Sequence, residues 1–190
     1  VTEFEKMING ETFNGGDLEI DTIRTRAAQI LSAFNQAEGQ EQRAELLGDL
    51  FNAFGHSVIQ SPFSCEFGKT ISIGSQTFIN MNVIMLDGAP ITIGNNVLVA
   101  PNVQFYTASH SLDYQSRRRW ETFCKPIVVE DDVWIGGSVV INQGVTIGAR
   151  SVIAANSVVN HDIPSDCLYG GSPAKFVKRL DGQLSQVMNN

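Results

Sequence analysis

Between Phe105 and Pro126 the sequence runs Tyr-Thr-Ala-Ser-His-Ser-Leu-Asp-Tyr-Gln-Ser-Arg-Arg-Arg-Trp-Glu-Thr-Phe-Cys-Lys, a polar and aromatic stretch with no regular period. His110 stands in its first half. An imidazole can take the proton from a weak nucleophile such as a hydroxyl as it attacks, a contribution of roughly 10²–10⁴-fold in rate. Glu121 is placed either to hold that imidazole in one tautomer or to sit in solvent beside Arg117, Arg118 and Arg119. The three arginines read as a solvated, loop-stabilising face rather than a phosphate site. Cys124 is flanked by Phe123 and Lys125, with no base beside it, so an acyl-cysteine intermediate is not expected. His56 and His161 lack comparable context and read as structural or exposed.

Two further groups offer chemistry. The Asn80 amide can donate and accept, which suits a hydroxyl; the alternative is a stacked asparagine ladder, as for Asn82. Lys175, Lys178 and Arg179 form a basic cluster near the end of a chain with net charge −7, a reasonable phosphate site. Charge compensation at a helix C-terminus is the other reading. There is no P-loop and no dinucleotide fingerprint. Cys65, Cys124 and Cys167 are scattered, without zinc spacing, so no metal is expected. Three free thiols suit a reducing compartment, and the cytoplasm is the expected location. The negative balance argues against nucleic acid as a partner. No apolar run approaches a membrane span. Val1 to Asn9 carries Glu3, Glu5 and Lys6 instead of a charged start followed by an apolar block, so no secretory leader is expected.

Something regular must position these residues. Every sixth residue from Val129 is a branched aliphatic: Val129, Ile135, Ile141, Ile147, Ile153, Val159. Ile73 and Ile79, then Ile93, Val99 and Phe105, continue the rule upstream. A period of six belongs to neither a helix nor a simple hairpin; it is the mark of a parallel β-helix whose units bury their aliphatics by stacking. Three units make a triangular coil of about 18 residues. The residue after most aliphatics is small or polar (Gly136, Asn142, Gly148, Ala154, Asn160) and is expected to let the backbone turn the corner. Upstream, Ile20, Ile23, Ala27, Ile30, Leu31 and Phe34 lie on one helix face, with Asp17 as N-cap. Leu46, Leu47, Leu50, Phe51 and Phe54 mark a second helix beyond Gly39. The expected organisation is a helical segment over 1–60, a β-helix over 61–173 with a loop excursion at 106–126, and a short helix followed by a tail over 174–190.

The ordered segments Pro62-Phe63 through Gly68, Ile79-Asn80-Met81-Asn82, Ile93-Gly94-Asn95-Asn96-Val97, the loop around His110, Lys125-Pro126-Ile127, Val133-Trp134-Ile135-Gly136 and Gly170-Gly171-Ser172-Pro173-Ala174 carry a family resemblance. The chain resembles the maltose and galactoside O-acetyltransferases, a branch of the left-handed β-helix acyltransferases, from roughly Met7 to Leu180. The resemblance implies a mainly β, left-handed coil, an exception to the right-handed crossover rule. It implies acetyl transfer from acetyl-CoA, as co-substrate and without metal, to a hydroxyl of a sugar or glycoside. It also implies a homotrimer with three equivalent sites. A loop projecting from the prism would then bring His110 of one chain to the donor pocket of the next, the alternative being a monomer with a complete site in one chain.

Residue by residue, the resemblance makes His110 the general base, although Ser111 replaces the family's proline after it. It aligns Asn80, Asp17, Glu66 and Asp87 with acceptor-binding positions; at Glu66 relatives vary among small and acidic residues, and a cap role for Asp17 is compatible. The Gly137 N–H corresponds to the donor that stabilises the thioester oxyanion. Ala155 and Asn160 correspond to backbone contacts with the pantetheine arm, and Lys175 and Lys178 to residues that meet the CoA phosphates. Other acceptors (serine, a nucleotide sugar, an antibiotic) stay open, as does a non-catalytic β-helix that only binds or assembles. A histidine loop and a basic tail in one chain disfavour the last.

Overall fold

A computed structural model of the chain describes residues 1–119 and 121–180. Its body is a three-sided parallel β-solenoid. Face A stacks Ala53–Phe54, Ile71–Ile73, Ile91–Ile93, Ile127–Val129 and Thr146–Ile147. Face B stacks Val58–Ile59, Phe78–Ile79, Leu98–Val99, Trp134–Ile135, Val152–Ile153 and Cys167–Gly170. Face C stacks Phe63–Cys65, Val83–Leu86, Gln104–Tyr106, Val140–Asn142 and Val158–Val159. The chain visits A, B and C in turn, so each coil has an A–B, a B–C and a C–A edge. Strands begin at Ala53, inside the stretch 1–60 expected to be helical.

The period of six is a packing rule. The six aliphatics from Val129 to Val159 are each at most 1% exposed and belong to one core with Ile73, Ile79, Ile93, Val99 and Phe105. Burying each such side chain contributes about 1.5–3 kcal/mol before the entropy of ordering is subtracted. That core continues into Leu31, Phe34, Leu47 and Leu50 of α2 (Leu18–Gln36) and α3 (Gln40–Leu50), which cover its N-terminal end. A further helix, α1 (Glu3–Ile8), opens the chain with a capping box between Thr2 and Glu5, a signal that hydrophobic periodicity did not show. Phe4 and Met7 of α1 join Ile20 and Phe67 in a separate small cluster.

The corners turn differently from expectation. The left-handed backbone sits three residues after the aliphatic, at Asp132, Ser138, Gly144, Arg150 and Asn156. The small residue directly after the aliphatic answers to close stacking instead. A Cβ on Gly136 would lie 2.6 Å from the backbone nitrogen of Ala155 in the next coil. The segment expected to form a C-terminal helix is also different: Lys175–Arg179 is a strand, antiparallel to Cys167–Gly170 on face B. Gly171, with φ 102°, makes the tight reversal, and the returning strand satisfies the open backbone edge of the last coil. Residues 181–190 of the expected tail lie outside the described residues.

Candidate active site

The excursion after Thr107 leaves the C–A edge as a hairpin. Ala108–His110 pairs antiparallel with Thr122–Cys124, and His110 lies opposite Thr122. Beyond it stands the five-residue helix α4 (Tyr114–Arg118), capped by Asp113, which accepts from the Gln115 and Ser116 N–H groups. Those bonds hold the Asp113 carboxyl below its ordinary range. Arg117 Nη1 donates to the carbonyls of Ser111 (2.9 Å) and Leu112 (2.8 Å). This ties down the chain behind His110 where the family's proline is missing. Arg118 lies over the Tyr114 ring, and Arg119 holds Glu121, so all three arginines serve the loop.

His110 is exposed, with Nδ1 at 3.2 Å from the main-chain carbonyl oxygen of Glu121 and 3.3 Å from Thr122 Oγ1. A carbonyl can only accept, so the proton is assigned to Nδ1 and the lone pair to Nε2. The tautomer is therefore fixed as a general base needs it, by the backbone of Glu121. The Glu121 carboxylate is engaged elsewhere, 2.9 Å from Arg119 Nη2. That hydrogen bond holds its pKa down. Of the two readings of Glu121, the described residues show the pairing with an arginine, and no contact between its carboxylate and the imidazole.

Beside the hairpin lies a cavity of about 560 Å³, whose walls include Asn14, Gly15, Arg24, Glu66, Thr122 and Cys124. Glu66 accepts from Arg24 Nε at 3.2 Å. Burial pushes the Glu66 carboxyl up from its ordinary value, and Arg24 pulls it back. Arg24, which also lies over the Phe67 ring at 5.2 Å, escaped the sequence reading. The signal was available: it stands four residues after Ile20 and three before Ala27, an arginine on an apolar helix stripe. Cys124 is buried, and its thiol is pushed up to about 11 by that burial, which keeps it protonated and unsuited to nucleophilic attack.

Two of the residues aligned with acceptor-binding positions hold the backbone. Asp87 is fully buried, and both carboxylate oxygens are occupied. Oδ1 accepts from the N–H groups of Glu66 (2.8 Å) and Phe67 (3.0 Å). Oδ2 accepts from Gly68 N–H and Thr70 Oγ1, each at 2.7 Å. Burial raises its pKa against the pull of these bonds. Asp87 thus builds the floor that carries Glu66 and Phe67 and offers no oxygen to a ligand. Asp17 caps α2, accepting from Glu19 N–H at 2.9 Å. It does not line the cavity; Asn14, Gly15 and Gly16 just before it do.

The remaining candidates lie elsewhere. Asn80, Gly137 and Ala155 sit on the B–C edge, where Asn156 N–H donates to the Gly137 carbonyl at 2.9 Å. Asn80 Oδ1 accepts from Met81 N–H. The Gly137 N–H donates to no group among the described residues, as an oxyanion donor requires. Asn160 lies on the C–A edge, where its Oδ1 is 3.0 Å from His161 Nδ1. Lys175 and Lys178 are exposed on the last strand and pair with no acid among the described residues. With no helix there, dipole compensation no longer accounts for them. In one chain, then, the histidine and its cavity lie on one edge, and Asn80, Gly137 and Ala155 on another, with the five strands of face C between. No cluster of three or more metal-binding side chains occurs among the described residues.

A coiled prism of hexapeptide units with one catalytic-looking excursion defines a class, the hexapeptide-repeat transferases, and comparison narrows it. Residues 6–55 match the maltose acetyltransferase hexapeptide capping motif, and residues 126–161 match the bacterial transferase hexapeptide. The chain is 35% identical to the galactoside O-acetyltransferase of Escherichia coli, over 93% of this chain and 89% of that protein. A hexapeptide-repeat acetyltransferase of Vibrio cholerae, solved with acetyl-CoA, is 61% identical with a TM-score of 0.92, over 95% of this chain and 100% of that one. A maltose O-acetyltransferase of Clostridium difficile superposes with a TM-score of 0.93 at 36% identity, over 95% and 98% of the two chains. The chain belongs to the maltose and galactoside O-acetyltransferase family.

Proposed function

We propose that the protein transfers the acetyl group of acetyl-CoA to a hydroxyl of a sugar or glycoside. The observation that carries this reading is His110, its tautomer set by the Glu121 carbonyl, beside a cavity that includes Asn14, Arg24 and Glu66 in a chain of this family. His110 Nε2 takes the hydroxyl proton as the oxygen attacks the thioester carbon. The C–S bond then breaks, and the imidazolium returns the proton to the departing CoA sulfur. The Gly137 N–H stabilises the intermediate oxyanion, a contribution of about 2.7–4 kcal/mol of barrier. Arg24, Glu66 and Asn14 line the acceptor's cavity, Asn80 approaches the reacting hydroxyl, and Lys175 and Lys178 hold the donor phosphates. Screening sugars, serine and nucleotide sugars by release of free CoA tests this. Turnover with glycosides is expected, and no release with any sugar overturns the reading.

The working unit on this reading is a homotrimer. His110 and Gly137 occupy edges separated by face C, whose outward side presents the exposed Ile84 and Leu86. If face C lines the axis of a ring of three, the C–A edge of each chain meets the B–C edge of the next. The hairpin, with Leu112 98% exposed, then reaches over its neighbour. Light scattering should give three times the single-chain mass. Mixing inactive His110→Ala with inactive Gly137→Pro chains should restore roughly one quarter of wild-type turnover, because one interface in four then joins two intact halves. No recovery after proven subunit exchange rejects the shared site. The three unpaired thiols support a cytoplasmic location. Among the described residues no helix is long and apolar enough to cross a membrane.

A further inference from the structure

A second cavity, of about 490 Å³, opens on the C–A edge at the foot of the His110 hairpin, between Tyr106, Ser109, Lys125, Asn142, Gln143 and Asn160. Gln143 has a feature that no other described residue shares. Its Oε1 is shielded from solvent and accepts no hydrogen bond from any described residue of its own chain. Folded chains leave few such atoms. The corner does not require this side chain: Gly144, with φ 76°, makes the turn. The last torsion of a glutamine is soft, so the amide can swing its oxygen into the cavity at little cost. What the oxygen lacks is a donor.

Acetyl-CoA brings one. Its pantetheine arm contains two secondary amides, and the nearer amide nitrogen is separated from the thioester sulfur by only two methylene groups. Ala108 and Ser109, the residues just before His110, line this same cavity. A thioester carbon presented to a hydroxyl beside His110 therefore places an amide N–H within reach of the cavity wall. We infer that Gln143 Oε1 accepts a hydrogen bond from a pantetheine amide of the donor, and so positions the arm. This rests on the acetyl-CoA reading proposed above. Gln143 touches the donor away from the reacting atoms, so it should act on donor affinity and leave the chemical step alone.

The test compares Gln143→Leu with wild type on two donors, acetyl-CoA and S-acetylpantetheine, which lacks the nucleotide. The variant should raise KM roughly five- to tenfold for both donors, the size of one uncharged hydrogen bond. It should leave kcat and the acceptor KM within about twofold. Without ligand, its thermal midpoint should hold or rise, because an unpaired buried oxygen has been removed. A Lys175→Ala/Lys178→Ala variant should weaken acetyl-CoA and spare S-acetylpantetheine, which separates arm contacts from phosphate contacts. Should the leucine variant fail to fold, Gln143→Met keeps the length and flexibility and should show the same KM pattern. Unchanged KM for both donors overturns the inference, as does a loss of stability without a change in donor KM. If wild type itself releases no CoA from acetyl-CoA with any acceptor, the proposed function fails instead.

Discussion

Replacing His110 by alanine is expected to lower kcat by about 10²–10⁴-fold while changing KM for donor and acceptor by no more than about twofold. The side chain is exposed at the end of a hairpin strand and belongs to no hydrophobic cluster. On the proposed reading its removal takes away a base and little packing, so the circular dichroism spectrum and the mass in solution should be unchanged. His110→Asn should lose as much, since an amide can donate to the Glu121 carbonyl but cannot act as a base. The geometry separates this from Glu121→Gln. That substitution removes an exposed carboxylate paired with Arg119, an interaction that contributes little at a surface, and keeps the main-chain oxygen that faces Nδ1. Its kcat should stay within a few-fold of wild type. An equal collapse in Glu121→Gln would show that the carboxylate orients the imidazole in the assembled protein. Near wild-type turnover in His110→Ala would remove the base assignment altogether.

What could be read from the sequence follows how each feature is encoded. The solenoid was legible because its rule is local and repeated: Val129, Ile135, Ile141, Ile147, Ile153 and Val159 point inward for the same reason. The stripe of α2 was legible likewise, with Ile20, Ala27, Leu31 and Phe34 buried as spaced. The corner residues were misread because two demands fall on neighbouring positions. Left-handed backbone falls on Ser138 and Arg150 as readily as on Asn156, and glycine at 136 answers to the next coil. The last strand was misread because Ala174 to Leu180 shows no alternation. Its pairing with Cys167–Gly170 comes from an open sheet edge that exists only once the coils are stacked. His110 could be found because it interrupts a regular pattern. The sequence marks Arg24 only as an arginine on an apolar stripe and Asp87 only by resemblance; the Glu66 that Arg24 bonds and the backbone that Asp87 holds are through-space facts.

Asp87→Ala is expected to destabilise the protein by about 3 kcal/mol or more, the scale for leaving several buried donors without an acceptor. The carboxylate is the acceptor for three consecutive main-chain donors, Glu66, Phe67 and Gly68, and for the Thr70 hydroxyl. Among the described residues no main-chain carbonyl takes those three N–H donors, so alanine strands them in a buried turn, each at a cost of about 1–3 kcal/mol unless the loop reopens to water. Reopening would move Glu66 and Phe67, which line the cavity proposed above for the acceptor. Acceptor KM should therefore rise together with the stability loss, while CoA binding, proposed above to rest on the B–C edge and the last strand, should hold. Asp87→Asn sharpens the test. It keeps the shape and one acceptor oxygen, but turns an amide NH₂ toward either the Gly68 N–H or the Glu66 and Phe67 N–H pair. Donor would then face donor, and the expected loss is about 1–3 kcal/mol. Urea midpoints compared at equal chain concentration measure both variants, because the proposed assembly would make apparent stability depend on concentration. The competing role, direct contact with the acceptor, makes the opposite forecast. Stability of Asp87→Ala would then stay within about 0.5 kcal/mol of wild type while acceptor KM alone climbs. That result would return Asp87 to the binding surface and require another group to hold the 66–70 turn.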